Sequence, residues 1–292
     1  MKENNMTALV SAFVRCYHEQ NSNLKIYDDK YAKYILTKEE YESILDNMTQ
    51  GIKYFNPNFI GTKEEAIKWI VNNQLGPSVL GRSAFNKRSL DVAIKLGCKQ
   101  YVVYASGYST STLDQKIKCY EIDKEEVIED KLKRLKNAHI KSFNTQYIKA
   151  DFTSASWLKN LNNSSYDKNQ KSFNSLLGLS YYLSKDDFSA LIKTIASNIK
   201  EGSSVLFDYQ TTDYSKEAKI NEELAASANE KMLAKYTYQE IESILASNNL
   251  YIYEYLDHDA MTKEYFYDYN TLNPGSKIIA PKSVAYILAV KK

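Results

Sequence analysis

The sequence predicts an α/β fold, with a mostly parallel seven-stranded sheet carrying one antiparallel strand behind a helical N-terminal segment. Three observations predict it. Up to about residue 97 the apolar spacing and capping signals are helical. From residue 100, short β-rich runs alternate with amphipathic stretches, the pattern of a parallel sheet with helical crossovers. Two late β-rich runs, residues 250–255 and 283–290, follow one another without a helix between them, which predicts an antiparallel closure of the sheet.

Capping boxes start two of the early helices, at Thr37 with Glu40 and at Thr62 with Glu65, and a later one at Thr237 with Glu240. In each, the hydroxyl takes an orphan amide of the first turn while the carboxylate reaches back to the cap. Ala66, Trp69 and Ile70 continue the second at helical spacing. Asn56-Pro57-Asn58 and Leu75-Gly76-Pro77 read as breaks. A helix over residues 83–96 ends at Gly97, a residue suited to the left-handed position after a helix.

The first strand is residues 100–105, followed by the loop Ser106-Gly107-Tyr108-Ser109-Thr110. Residues 118–123 form a second strand ending in Asp123. The helix over 124–138 turns Val127, Ile128, Leu132 and Leu135 to the core. Residues 146–150 form a third strand ending at Asp151, and residues 172–179 a fourth. The polar residues 160–171 read as a loop. A helix over 184–200, with a box at Ser184 and Asp187, leads past Gly202 to a fifth strand over 203–209. Residues 210–235 read as an exposed helix covering the site, and 236–247 as a further helix. The division expected is a helical lid, residues 1–97, and a ligand-binding core, residues 98–292.

Composition narrows the partners. The 292 residues carry a net charge of +2, and the basic residues are spread along the chain. That argues against nucleic acid and against an anionic membrane surface. No apolar run approaches the ~18 residues of a membrane span, and the polar residues 1–6 do not read as a signal peptide. Cys16, Cys98 and Cys119 have neither metal-ligand spacing nor an even count, so no metal site is expected and a reduced, cytoplasmic setting is. The 25 tyrosines read as compositional bias.

Ligands of open α/β sheets bind at the carboxyl ends of the strands. Gly107 lets backbone approach a ligand there. Asp123, 16 residues further on, is placed to accept both hydroxyls of a ribose. Asp151 is placed to accept from an adenine amine, with Phe152 beside the ring. An acid at a strand end also caps helices, but two on adjacent strands behind a glycine loop favour the ligand. Glu121 faces the same side of its strand as Asp123 and competes for the ribose; Asp123 lies nearer the strand end. There is no G-x-G-x-x-G, and the interval from Gly107 to Lys118 is short for a helix that would hold a pyrophosphate. Adenosine without phosphate fits better. Arg82 is either a surface arginine or a bidentate partner for a ligand carboxylate.

These segments resemble the leucine carboxyl methyltransferase family, which includes phosphatase methyltransferases and polyketide-type O-methyltransferases. Gly81-Arg82-Ser83-Ala84-Phe85 with Leu90-Asp91 looks like its arginine motif, and Gln100-Tyr101-Val102-Val103 like its first strand. Ala105-Ser106-Gly107-Tyr108-Ser109-Thr110 looks like its glycine loop, Tyr120-Glu121-Ile122-Asp123 its ribose motif, Ala150-Asp151-Phe152 its adenine motif, and residues 178–183 its fourth-strand segment. The resemblance runs over residues 6–210. It implies a Rossmann-like class I methyltransferase using S-adenosylmethionine and releasing S-adenosylhomocysteine. It also implies that Arg82 holds the cofactor carboxylate, Ala105 and Gly107 line the methionine, Asp123 holds the ribose, and Asp151 with Phe152 the adenine. Three positions depart from the pattern: Ala105 stands for the loop's first glycine, Ser109 for its aspartate, and Leu177 for a glutamate on strand four.

The reaction expected is transfer of a methyl group to a carboxylate or hydroxyl of a small molecule or peptide. Two other readings stand beside it: a protein C-terminal carboxyl methyltransferase, and a cofactor-binding protein without activity. A carboxylate acceptor is already ionised at neutral pH and needs no base; a hydroxyl wants one. Tyr181, Tyr182 and His258 are the candidates for orienting or deprotonating an acceptor, alongside the remaining histidines His18 and His139.

Overall fold

The structure, a computed structural model, describes residues 6–152, 156–213, 215–227 and 229–292. Most of the polar N-terminal segment, residues 1–5, lies outside the described residues. Helices α1 (Met6–Asn21), α2 (Ala32–Ile35), α3 (Lys38–Gln50), α4 (Ile52–Phe55), α5 (Lys63–Ile70) and α6 (Gly76–Lys95) come first. The capping boxes at Thr37 and Thr62 both close as the sequence predicts. Gly76-Pro77 does not separate two helices as expected. A π-helical turn, Val71–Leu75, runs α5 directly into α6, and Pro77 sits in the first turn of α6, where its missing N–H costs nothing. Helix α6 therefore starts seven residues before the predicted position, so Arg82 lies in its interior rather than ahead of it. Gly97 takes φ +92° just past its end.

The sheet follows: β1 (Gln100–Tyr104), β2 (Lys118–Asp123), α7 (Glu125–Asn137), β3 (Thr145–Lys149), α8 (Ser156–Asn162), β4 (Ser172–Leu176), α9 (Lys185–Ser197), β5 (Ser204–Gln210), α10 (Lys216–Ser227), α11 (Tyr238–Ala246), β6 (Leu250–Leu256), α12 (His258–Tyr265), α13 (Tyr267–Leu272) and β7 (Val284–Lys291). Strand order is β3-β2-β1-β4-β5-β7-β6, and β7 alone runs against its neighbours. The late connection is not helix-free, since α12 and α13 fill it. The predicted loop over 160–171 begins inside α8, and β4 stops at Leu176, three residues early.

Strand alternation divides the core. Tyr101, Val103, Phe173, Leu206 and Tyr286 face the N-terminal helices and α12. Val102, Tyr104, Leu176, Phe207 and Ile287 face α8, α9 and α11. A helix layer on each face is why β1 and β5 read as largely apolar runs, and why every residue of β4 is buried although Ser172, Asn174 and Ser175 are polar. In α7 Val127, Ile128 and Leu135 are buried as predicted, and Leu132 alone of the predicted inward residues is not. Leu132 is exposed, and Lys131 is fully buried against Glu121, which is also buried and accepts from Thr112 at 2.5 Å. This pair takes Glu121 out of competition for a ligand. Helix α10 packs Ile220 and Leu224 onto Ile52, Phe55, Ala66 and Ile70, so it joins the N-terminal helices.

Candidate functional site

The carboxyl ends of β1 to β5 open into one cavity of about 830 Å³. It lies at the switch between β1 and β4, where the strand order reverses. The walls come from the loops after β1 to β4, from β5's end, and from α1, α6 and the segment from α10 to Met232. Of residues 210–235, read from the sequence as an exposed helix covering the site, only α10, Lys216–Ser227, is helical, and Asn221, Leu224, Ala225, Glu230 and Met232 line the cavity.

After β1 the chain turns through two left-handed residues, Ala105 at φ +49° and Gly107 at φ +48°. Glycine takes this conformation freely; alanine takes it at a cost of about 1–2 kcal/mol. The turn aims the Gly107 amide at Asp123 Oδ2, 2.6 Å away, while the Lys124 amide donates to Oδ1 at 2.8 Å. Asp123 is only 8% exposed, and that burial raises its pKa against the pull of the two amides. Each carboxylate oxygen keeps a lone pair, and Asp123 lines the cavity. Asp151 and Phe152 line it beyond β3. The Phe152 ring lies 6.1 Å from both Tyr104 and Trp157, an aromatic wall at this end.

Arg82 reaches the cavity from α6. Its Nη1 donates to the Tyr181 hydroxyl at 3.2 Å and lies 3.5 Å from Asp208, and its Nη2 donates to Ser11 at 3.2 Å. Burial works against the guanidinium's charge, but Tyr181 and Asp208 outweigh it and hold the pKa above the usual arginine value. Gly178, at φ +68°, passes so close that a Cβ there would sit 2.8 Å from Nη1. Its amide donates to Asp208 Oδ1 at 2.6 Å. The sequence reading missed Asp208, although a carboxylate inside the otherwise apolar β5 was a visible signal. It also missed Glu230, which lines the cavity, accepts from Thr7 and has its pKa raised chiefly by burial, with Asp123 adding to it. No periodicity marks that residue.

Tyr181 and Tyr182 both line the cavity. Burial drives the Tyr181 pKa well above the ordinary phenol value and pushes Tyr182 up to about 12. Both phenols hold their protons at neutral pH, and Tyr181 is committed to Arg82. His258 is not brought to the site. It opens α12, outside the cavity wall, 3.2 Å from the Asp259 carboxylate. His18 is buried in α1, accepting from the Ile26 amide at 2.9 Å, and neither it nor His139 lines the cavity.

Three buried polar atoms of wall residues have no hydrogen-bond partner: Asn86 Oδ1, Ser106 Oγ and Gln210 Oε1. Such orphans are rare in native interiors. Arg82, the buried Asp123, the half-buried Glu230 and the aromatic wall suit a ligand bearing an amino-acid group, hydroxyls and a flat ring.

Comparison with known proteins decides the family. The leucine carboxyl methyltransferase profile matches residues 8–196. The chain belongs to the leucine carboxyl methyltransferase family. A relative from Bacillus subtilis (strain 168), YktD, provisionally named an S-adenosyl-L-methionine-dependent methyltransferase, is 32% identical over 99% of both chains. Among solved structures, a DUF574 family protein from Streptomyces avermitilis MA-4680 superposes with a TM-score of 0.59 at 16% identity, over 84% of this chain and 97% of that one. A Thermobifida fusca YX protein provisionally described as a methyltransferase gives 0.52 at 14%, over 84% and 94%. These two share the fold. As a leucine carboxyl methyltransferase family member, the protein is an S-adenosylmethionine-dependent methyltransferase, and the cavity's donor and acceptor set fits that cofactor. Among the described residues no helix is long and apolar enough to cross a membrane, and no cluster of residues could hold a metal ion.

Proposed function

We propose that the protein is an O-methyltransferase acting on a carboxylate or hydroxyl of a small molecule or peptide. The observation that carries this reading is that Arg82, Asp123 and Asp151, from three separate parts of the chain, all line one 830 Å³ cavity at the strand ends. That volume lies within the roughly 300–1,000 Å³ of sites that enclose a small ligand.

In this reading Arg82 holds the cofactor's carboxylate, with Gly107 and Ala105 along the methionine chain. Asp123 accepts from the ribose hydroxyls, and Asp151 with Phe152 binds the adenine. When bound, the cofactor supplies a methyl group already activated on a sulfonium. The chain then has to align the acceptor oxygen in line with it and exclude water. Helices α1 and α10 close the cavity for that purpose: Gln74 on the α5–α6 turn donates to Asn221 of α10 at 2.7 Å, and Thr7 of α1 donates to Glu230. An ionised carboxylate acceptor needs no base from the protein. For a hydroxyl acceptor, Glu230 lines the cavity and burial raises its basicity, which suits it to take the proton.

The test is calorimetric titration with S-adenosylhomocysteine, followed by transfer of labelled methyl to panels of aromatic acids and phenols. Micromolar binding, weakened tenfold or more in Arg82→Ala, is expected. Base-labile label then identifies a carboxyl ester, and base-stable label an ether. A folded wild-type protein that binds no S-adenosylhomocysteine would refute the reading.

A further inference from the structure

Along the sequence the lysines are dispersed, and the fold gathers eight of them. Strands β1 to β5 all begin on one edge of the sheet, opposite the cavity. The segments that enter them, residues 95–99, 116–118, 141–144, 167–171 and 200–202, hold eight lysines, two acids and no arginine. The rest of the chain then carries 30 basic against 34 acidic residues, so the near-neutral total conceals one strongly positive end.

Backbone contacts join these segments into one surface. The Asn144 carbonyl accepts from the Cys119 amide at 2.7 Å, which sets Phe143 beside Lys118. Lys118 pairs with Gln100 in the sheet, next to Lys99. The Lys99 amide donates to the Lys171 carbonyl at 3.1 Å. The Lys171 side chain lies over Gly202, where an added Cβ would meet its Nζ at 3.2 Å. Five strand starts at about 4.8 Å spacing make a strip roughly 20 Å long. All eight lysines are exposed, and among the described residues none of them is in an ion pair. Of the two acids, Asp167 already accepts from the Asn169 amide at 2.9 Å and from Gln170 at 3.1 Å. Two large apolar side chains stand out of the same strip: Leu96 is 71% exposed and Phe143 is 86% exposed.

This composition selects among polyanions. Lysines without arginine supply diffuse positive charge, not the bidentate forks that read phosphates and base edges in nucleic acids. Ammonium groups on flexible stems around protruding apolar side chains match an anionic bilayer, where the ammoniums meet headgroups and the apolar groups enter the acyl boundary. We infer that this strip docks the protein on an anionic lipid bilayer, with the cavity facing away from it. None of the strip residues lines the cavity, so the inference stands apart from the cofactor reading.

Co-sedimentation with vesicles tests it. The wild type should bind vesicles of phosphatidylcholine and phosphatidylglycerol in equal parts tenfold or more tighter than vesicles of phosphatidylcholine alone. The preference should vanish between 0.1 M and 1 M salt, as the screening length falls from about 10 Å to about 3 Å. Lys99→Glu, Lys118→Glu and Lys171→Glu together should abolish it. Lys38→Glu, Lys68→Glu and Lys263→Glu together make the same change in net charge at exposed positions outside the strip, and should change the binding less than threefold. Phe143→Ser should weaken binding to the mixed vesicles threefold or more and leave its salt dependence in place. Urea midpoints equal to wild type show that the variants are folded, and Phe143→Ser alone carries the test if the first triple variant is not. Equal binding to neutral and anionic vesicles, equal losses for the two triple variants, or a preference for a single-stranded oligonucleotide over the anionic vesicles overturns the inference.

Discussion

Replacing Asp123 with asparagine is the sharpest test of how the strand ends hold a nucleoside. The carboxylate receives the Gly107 and Lys124 amides at 2.6 and 2.8 Å and keeps one free lone pair on each oxygen toward the cavity. Two ribose hydroxyls would use those lone pairs, and a hydrogen bond to a charged group is worth about 1.5–3 kcal/mol. Asparagine keeps one acceptor oxygen and turns an N–H₂ toward one of the two backbone amides. It forfeits about one charged bond completely and the charge on the other. A loss of about 2–3 kcal/mol follows, or roughly 30- to 150-fold weaker binding of S-adenosylhomocysteine at 1.4 kcal/mol per decade. Calorimetry on wild type and Asp123→Asn, with S-adenosylhomocysteine and its 2′-deoxy analogue, isolates the contact. The deoxy ligand should lose affinity for the wild type and be much less sensitive to the substitution. Binding within threefold of wild type, or equal losses for both ligands, would refute a ribose contact at Asp123. Because burial raises the Asp123 pKa, binding should also weaken as pH falls, starting above the ordinary carboxylate range.

Three further outcomes concern stability. Burial, with Lys25 adding to it, pushes the His18 pKa from 6.5 down to about 4, so its contribution is full above pH 6.5 and is lost as pH falls toward 4. At roughly 1.4 kcal/mol for each tenfold that is about 3 kcal/mol; urea titrations at pH 7 and 4.5 should show a steeper fall for wild type than for His18→Gln, and parallel falls would contradict it. Lys131→Met leaves Glu121 charged and buried, which should cost about 3–5 kcal/mol, while the double variant with Glu121→Gln recovers most of it; a single-variant loss under about 1 kcal/mol by the same titration would show that water reaches Glu121. Ala105→Gly relieves about 1–2 kcal/mol of left-handed strain against about 0.4–1 kcal/mol for the freer unfolded chain. The urea midpoint should rise slightly at unchanged slope, and a fall would mean that the lost methyl's packing against Tyr104's side of the core outweighs the strain.

Local signals carried much of the fold. Thr37, Thr62 and Thr237 each form the capping box their spacing announced, because a capping box is closed by four consecutive residues and needs nothing distant. Alternating β-rich and amphipathic runs placed all seven strands within a few residues, since each crossover helix has to turn an apolar face to the sheet. The positions of Gly107, Asp123, Asp151 and Phe152 on one cavity follow from strand ends, which the sequence pattern located, whereas Arg82 was expected ahead of its helix and lies inside it.

What the sequence left undecided depends on groups far apart along the chain. Gly76-Pro77 looked like a break because proline ends helices from within; only the π-turn before it makes it a first-turn residue. Lys131 looked solvent-facing until Glu121, ten residues earlier, proved to be buried against it. His258 was a candidate for its place near the late strand pair, yet it opens α12 outside the cavity. Asp208 acquires its partners, Arg82 and the Gly178 amide, only when β5 packs beside α6 and the end of β4. A hydrogen-bond donor's partner is fixed by three-dimensional proximity, and the sequence by itself encodes that proximity only within a helical turn or along a strand.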